Sequence, residues 1–350
     1  MASQRNTDPV LETAVPEIAA AEAAVLAADL YGLDAAVTEL KGERDRNFHL
    51  RVRDCGEFVL KVGNPAEDPE VARFQIRALL HVERRDPGLP VPRVIRTLAG
   101  DAEAVLVPPG QAPRIVRVLT YLQGEPLHRT PRSAAQRRNL GSCLAGLDRA
   151  LQGFSHPASG HELMWDLKHA SRVRGLLVHI ADGPRRALAS RFLDAFERHA
   201  LPQMPNLRAQ VIHNDMNPHN VLVAPHAPDT VAGIIDFGDA VQAPLVNDLA
   251  VAAAYQLERT GHPLEGPGDM AAGYHATLPL ESNEIDLLFD LIATRMVLTV
   301  AIGNWRAARY PENRDYILRN SANAWAGLER LSGVSRAEAQ DYLHRACQGA

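Results

Sequence analysis

The apolar and polar positions of this chain change period along its length. Phe48-His49-Leu50-Arg51-Val52 alternates, Asp54-Cys55-Gly56-Glu57 has turn composition, and Phe58-Val59-Leu60-Lys61-Val62 returns as an apolar run, which predicts a β-hairpin. A helix is expected over residues 68–85, because Asp68-Pro69-Glu70 is a start signal and Val71, Phe74, Ala78, Leu79 and Val82 follow at helical spacing. The rigid turn Pro87-Gly88-Leu89-Pro90-Val91-Pro92 precedes two further strand-like runs at 104–107 and 114–122. From Pro131 onward helices dominate, with three- and four-residue apolar spacing over 134–151, 190–201, 248–257 and 284–308. An Ala-rich stretch at 18–30 reads as a surface helix, and the polar residues 1–15, next to Pro16, read as disordered. The pattern therefore predicts an α+β chain of two lobes with a cleft between them: a strand-rich part at 16–122, a hinge near its end, and a mainly helical part at 123–350.

Two passages interrupt the helical half with different chemistry. His213-Asn214-Asp215-Met216-Asn217-Pro218-His219-Asn220 is followed by Ile234-Ile235-Asp236-Phe237-Gly238-Asp239. Val211-Ile212 and residues 231–235 are short β-branched runs, expected as two adjacent buried strands that carry Asp215 and Asp236 at their ends. An Asp, an Asn five positions on and a second Asp after an apolar run suit phosphoryl transfer. That reaction needs a carboxylate beside the attacking hydroxyl, here Asp215, and hard oxygen ligands for Mg²⁺, here Asn220 and Asp236. The competing reading, a transition-metal site at His213, His219 and His226, has spacings of six and seven that do not share a helical face. Lys61 adds to the first reading, since a charge in an apolar strand is costly without a partner, and a kinase uses such a Lys on the α- and β-phosphates. An edge-strand Lys facing water is the alternative.

Composition narrows the class. With 350 residues, 46% hydrophobic and 23% charged, the chain can bury a large core. A formal net charge of -5 gives no reason to expect a nucleic acid or an anionic membrane as partner. Cys55, Cys143 and Cys347 lack the spacing of a disulfide framework or a zinc site, which fits a cytoplasmic setting. Glu22 and Asp29 interrupt the Ala-rich stretch, so it reads as neither a signal peptide nor a membrane span.

Taken together, these motifs resemble the aminoglycoside phosphotransferase and choline kinase family from about Leu30 to Leu331. Gly42-Glu43-Arg44-Asp45-Arg46-Asn47-Phe48-His49, Trp165-Asp166-Leu167, Arg295, Asn304-Trp305 and Tyr310-Pro311-Glu312-Asn313 are similar to its hydroxylysine kinase branch. The resemblance implies a two-lobed protein-kinase-like fold, with an antiparallel sheet and one helix in the first lobe and a mainly helical second lobe. It implies GTP or ATP with Mg²⁺ as donor, and a small amino acid or amino alcohol as acceptor, 5-hydroxylysine first. Homoserine, choline, ethanolamine or an aminoglycoside are the alternatives.

Residue by residue, the resemblance implies a nucleotide site at Lys61, with Gln75 where protein kinases carry a Glu and Glu70 as the fallback. Gly42 is the only glycine of its loop, so Arg44, Asp45, Arg46 and Asn47 are expected on the phosphates, and the backbone of Thr120, Tyr121 and Leu122 on the base. Trp165, Asp166, Asp239, Arg295 and Trp305 are expected around the substrate, with core packing the alternative for each Trp and a structural ion pair the alternative for Arg295; Asp248, which could also face the cleft, is expected to cap its helix and brace the catalytic loop. Asn214 stands where protein kinases have the Arg of His-Arg-Asp, and no Ala-Pro-Glu follows, which argues against a phosphorylation-switched kinase. Gln75 and the glycine-poor loop motivate the rival of another class, a catalytically silent nucleotide-binding pseudokinase.

Overall fold

A computed structural model describes Thr13 and residues 15–349 except Glu43, Pro109 and Gln111. The disorder expected for residues 1–15 falls, at 1–12 and 14, outside the described residues. Two compact units are present: one holds the chain up to Gln123 with His156–His161 and Gly233–Gly238, the other Gly124–Ser155, Glu162–Ala232 and Asp239–Ala350.

The first unit begins with α1 (Ala20–Tyr31), β1 (Ala35–Leu40), the hairpin β2 (Arg46–Val52) and β3 (Gly56–Val62), α2 (Pro69–Arg85), β4 (Val94–Ile95), β5 (Ala104–Leu106) and β6 (Arg114–Thr120). Its antiparallel sheet runs β1-β2-β3-β6-β4, with β5 also on β6. Phe48, Leu50, Leu60, Val62, Val116 and Val118 point to one face, where Ala23, Ala27 and Tyr31 cover them. Residues 18–30, expected as a surface helix, thus contribute a buried face: small Ala side chains let α1 approach the strands, and the Tyr31 hydroxyl donates to the Val116 carbonyl at 2.9 Å. Gly32, at φ 68, ends α1 in the left-handed region that glycine adopts at little cost. Helix α2 starts as its sequence signal indicates, with Asp68 accepting from the Glu70 amide at 2.9 Å and Pro69 at the first position. Its Ala72 and Ile76 pack with Ala102 and Ile115.

The second unit continues with β7 (Glu125–Pro126), α3 (Ala134–Leu151), a 3₁₀ run at Leu167–His179, α4 (Gly183–His199), β8 (Ala209–Ile212), β9 (Val221–Ala224) and β10 (Ala227–Ile234). After β11 (Val241–Pro244) come α5 (Val246–Ala253), α6 (Glu265–Thr277), α7 (Ser282–Arg309), the single turn α8 (Arg314–Ile317), α9 (Ser321–Leu331) and α10 (Arg336–Gln348). Helix α7 is buried along most of its length. Helices α3 and α6 approach so closely that a Cβ on Gly141 would lie 2.0 Å from the Met270 carbonyl oxygen, and one on Gly273 2.0 Å from that of Arg138.

The strand pairing corrects one expectation. Strands β8 and β10 are not neighbours: β8 pairs with β11, and β10 with β9, which in turn pairs with β7. The apolar run at 221–224, directly after the loop at 213–220, takes the place beside β10 that Val211-Ile212 was expected to fill, because a short connection makes β9 and β10 a hairpin. Asp248 lies inside the first turn of α5 rather than capping it, since that helix begins at Val246.

Candidate active site

In the first unit the sheet register builds a charged row. Lys61 of β3 stands opposite Asn47 of β2 on one side and Arg117 of β6 on the other. Its side chain is 16% exposed, and its Nζ lies 3.4 Å from Asp45 Oδ2 and 3.8 Å from Asp236 Oδ1. Asp45 Oδ2 also accepts from Arg117 Nη2 at 3.1 Å. Asp236 adopts φ 64, the left-handed region that a non-glycine residue enters at a cost and that recurs at functional sites. Arg44 and Gln75 both approach the Gly238 carbonyl, at 3.4 and 3.5 Å. Gln75 also donates to Glu67 at 3.4 Å, and burial, then the nearby Asp45, raises the Glu67 carboxyl above its ordinary range.

The remaining residues expected at the nucleotide have other partners. Glu70 pairs with Arg73 at 2.5 Å on the exposed side of α2, and Arg46 pairs with Glu39. The Thr120 amide donates to the Arg93 carbonyl and the Tyr121 amide to the Glu57 carbonyl, each at 2.9 Å, while the Tyr121 ring stacks on His49. Leu122 follows them along the same segment.

In the second unit the loop at 213–220 is held by α5. The amides of His213 and Asn214 donate to the two oxygens of the buried Asp248 at 2.8 and 2.7 Å. Those bonds let Asn214 take φ 63, and its side-chain amide donates to the Asp239 carbonyl at 3.2 Å. Both oxygens of Asp215 receive donors. Oδ1 accepts from Arg295 Nη2 at 2.9 Å, and Oδ2 from Asn217 Nδ2 at 2.9 Å and Asn220 Nδ2 at 2.7 Å. Arg295 is 2% exposed on the apolar helix α7; its Nη1 donates to the Trp165 carbonyl at 3.1 Å, and its guanidinium lies 5.2 Å from the Trp165 ring centroid and 6.0 Å from that of Tyr255.

Trp165, Arg295 and Asp215 thus come together; Asp166 and Trp305 have different surroundings. Asp166 is fully buried, caps the 3₁₀ run through the Lys168 amide at 2.9 Å, and faces Lys168 Nζ at 3.2 Å. Trp305 is buried, with Arg309 over its ring at 5.8 Å, and Asp239 is also buried. His219 sits 4.2 Å from the His128 ring, and burial, then Arg319 and His128, pushes its imidazole down to about 4, so it is neutral near pH 7.

Four neighbours lay outside the sequence reading: Asn217, Arg117, Glu67 and Tyr255. Arg117 carried the same signal as Lys61, a cation in an apolar strand, and Asn217 stands inside the catalytic passage. Glu67 and Tyr255 carried none, since each reaches its place only through the fold.

Residues 36–280 match the phosphotransferase enzyme family known as APH. A hydroxylysine kinase of Danio rerio is 29% identical over 322 residues, covering 89% of this chain and 90% of the relative. Among solved structures, a microcompartment-associated aminopropanol kinase superposes with a TM-score of 0.65 at 20% identity, over 93% of this chain and 98% of the other. An amicoumacin kinase in complex with AMP-PNP, Ca²⁺ and Ami gives 0.65 at 15% identity, over 91% and 93% of the two chains. The fold is α+β and protein-kinase-like, with an antiparallel sheet in the first unit and a largely helical second unit. On the strength of the family match, which spans most of the chain, this protein belongs to the APH phosphotransferase family and is a phosphotransferase.

Proposed function

We propose that this enzyme transfers the terminal phosphoryl group of a purine nucleoside triphosphate to the hydroxyl of an amino acid or amino alcohol, with 5-hydroxylysine as the first candidate. The observation that carries the reaction is the orientation of Asp215. A carboxylate whose two oxygens are fixed by Arg295, Asn217 and Asn220 is held in a set orientation, as positioning an acceptor hydroxyl requires. Similarity to hydroxylysine kinase supports the acceptor class.

In this reading Lys61 contacts the donor phosphates, with Arg44, Asp45, Arg46 and Asn47 in the loop that precedes it. The base lies along Thr120, Tyr121 and Leu122. Each unit offers a hard oxygen to a metal: the Asp236 carboxylate, 52% exposed in its side chain, in the first, and the Asn220 amide oxygen in the second. Either suits Mg²⁺, which takes one or two protein oxygens and completes its shell with phosphate and water. Bound there, the ion would neutralise charge on the phosphate oxygens. Asp215 accepts a hydrogen bond from the acceptor hydroxyl and takes its proton as the new bond forms. Arg295 orients Asp215, and Trp165, Tyr255 and Asp239 border the acceptor; aromatic faces there would favour its ammonium groups. Asp166 acts through the 3₁₀ run it caps, and Trp305 through packing.

Release of nucleoside diphosphate from GTP and from ATP with Mg²⁺, run against 5-hydroxylysine, homoserine, choline, ethanolamine and an aminoglycoside, tests the proposal. Release that depends on 5-hydroxylysine supports it. Release with another acceptor alone moves the substrate, and none with any acceptor removes the catalytic reading.

A further inference from the structure

We infer that Asp45 is the carboxylate that positions Lys61, in place of an acid at the Gln75 position of α2, and that Arg117 holds Asp45 in that place. The inference rests on the reading of Lys61 as a phosphate ligand.

The argument begins with the sheet. Lys61 and Arg117 are opposed in register on adjacent antiparallel strands, so their side chains share one face. Like charges in that relation repel, and each cation stands between apolar neighbours, Leu60 and Val62 for Lys61 and Val116 and Val118 for Arg117. Asp45 resolves both problems with one oxygen, Oδ2, which lies 3.4 Å from Lys61 Nζ and 3.1 Å from Arg117 Nη2. Asp45 and Arg117 are 8% and 5% exposed, so this pairing is shielded from water and from salt.

The other acids near Lys61 serve differently. Gln75, at the helix position, is uncharged, and its amide reaches Glu67 and the Gly238 carbonyl. Glu70 faces Arg73. Glu67 is half-buried beside Gln75, where burial and then the nearby Asp45 raise its carboxyl pKa. Asp236 is 3.8 Å from Lys61, and the proposed mechanism commits it to the metal. Asp45 is then the partner that stays with Lys61 once nucleotide and metal are bound.

Its place in the chain gives the substitution a consequence. Asp45 directly precedes β2, in the loop that runs from Gly42, and the carbonyl of its neighbour Arg44 is held by Asn64 Nδ2 at 3.1 Å. The loop expected on the phosphates and the Lys that contacts them are therefore tied by one carboxylate, so that displacing either one displaces the other.

Double-mutant cycles on the full chain test this, with kcat and KM for ATP and GTP as readout and thermal melting as the control for folding. Lys61→Ala is expected to raise nucleotide KM or lower kcat, and Asp45→Asn to reproduce much of that loss. The double variant should be little worse than Lys61→Ala alone, a coupling of about tenfold. The effect of Gln75→Leu, whatever its size, should multiply with that of Lys61→Ala. Should Asp45→Asn fail to fold, Arg117→Gln closes a second cycle with Lys61 and the same coupling is expected. Independent effects of Asp45 and Lys61, or coupling of Lys61 to Gln75 instead, would overturn the inference while leaving the nucleotide site intact. A silent Lys61→Ala would overturn that site and the inference together.

Discussion

At the scale of single residues, Arg295 and Asp148 are two of the polar groups that the second unit buries. Arg295 has a charge to satisfy in the middle of α7, and it does so with the Asp215 carboxylate, the Trp165 carbonyl and two aromatic faces. A shorter cation in its place would let Asp215 turn. We expect Arg295→Lys to lower kcat by about a hundredfold, the order associated with a misplacement of ~1 Å, with nucleotide affinity unchanged. Steady-state kinetics beside a nucleotide titration check this, and a loss confined to nucleotide affinity would contradict it. Asp148 on α3 is fully buried, accepts from the Tyr274 hydroxyl at 2.6 Å, and has its carboxyl pKa raised well above the usual range by burial and then by the charge of Asp248. The folded protein thus keeps a proton there that the unfolded chain loses. Stability from this group is complete below the ordinary carboxylate range and declines as pH rises from it. Asp148→Asn removes that titration, so its stability relative to the parent is expected to increase between about pH 5 and about pH 8 in urea denaturation. Parallel pH profiles would show that Asp148 is charged in the folded state.

Elements show where the sequence was legible and where it was not. The hairpin of β2 and β3 and the start of α2 follow from local rules, alternation and an Asp-Pro cap, which act over a few residues. Helix α6 follows none of them. Gly266, Pro267, Gly268 and Gly273 argue against a helix by propensity, and the fold overrides that because those positions let other backbone approach. Gly266 faces the Gln256 carbonyl, where a Cβ would come within 1.8 Å, and Gly273 faces that of Arg138. Helix α4 begins at Gly183 behind the capping Asp182, seven residues before its apolar spacing becomes regular at 190, so there a local cap rather than the apolar period marks the start. The same closeness gives a prediction for α3: Gly141→Ala should destabilise the protein by ~1–3 kcal/mol, through overpacking rather than through helix propensity, which favours Ala. A midpoint unchanged or raised in urea would contradict the contact geometry.

For the whole molecule, the phosphotransferase assignment was legible because the residues of its motif are close in sequence. Asp215, Asn217 and Asn220 occupy a single turn of chain, and short loops fix their geometry. What supports them comes from far away, Arg295 from α7 and Asp248 from α5, just as Arg117 of β6 reaches Asp45 within the first unit. Spacing along the chain does not encode those meetings, which depend on strand register and helix packing. The same separation explains why β8 and β10 were expected side by side: composition identifies a buried strand without naming its partner. Among the described residues no helix is long and apolar enough to cross a membrane. The most direct test of the account compares this protein with Asp215→Ala in 5-hydroxylysine-dependent nucleoside diphosphate release, with nucleotide affinity measured on the same samples. The account predicts turnover by the parent and a loss of about a hundredfold or more in the variant at unchanged affinity; equal turnover by the two, or none by the parent with any acceptor, would contradict it.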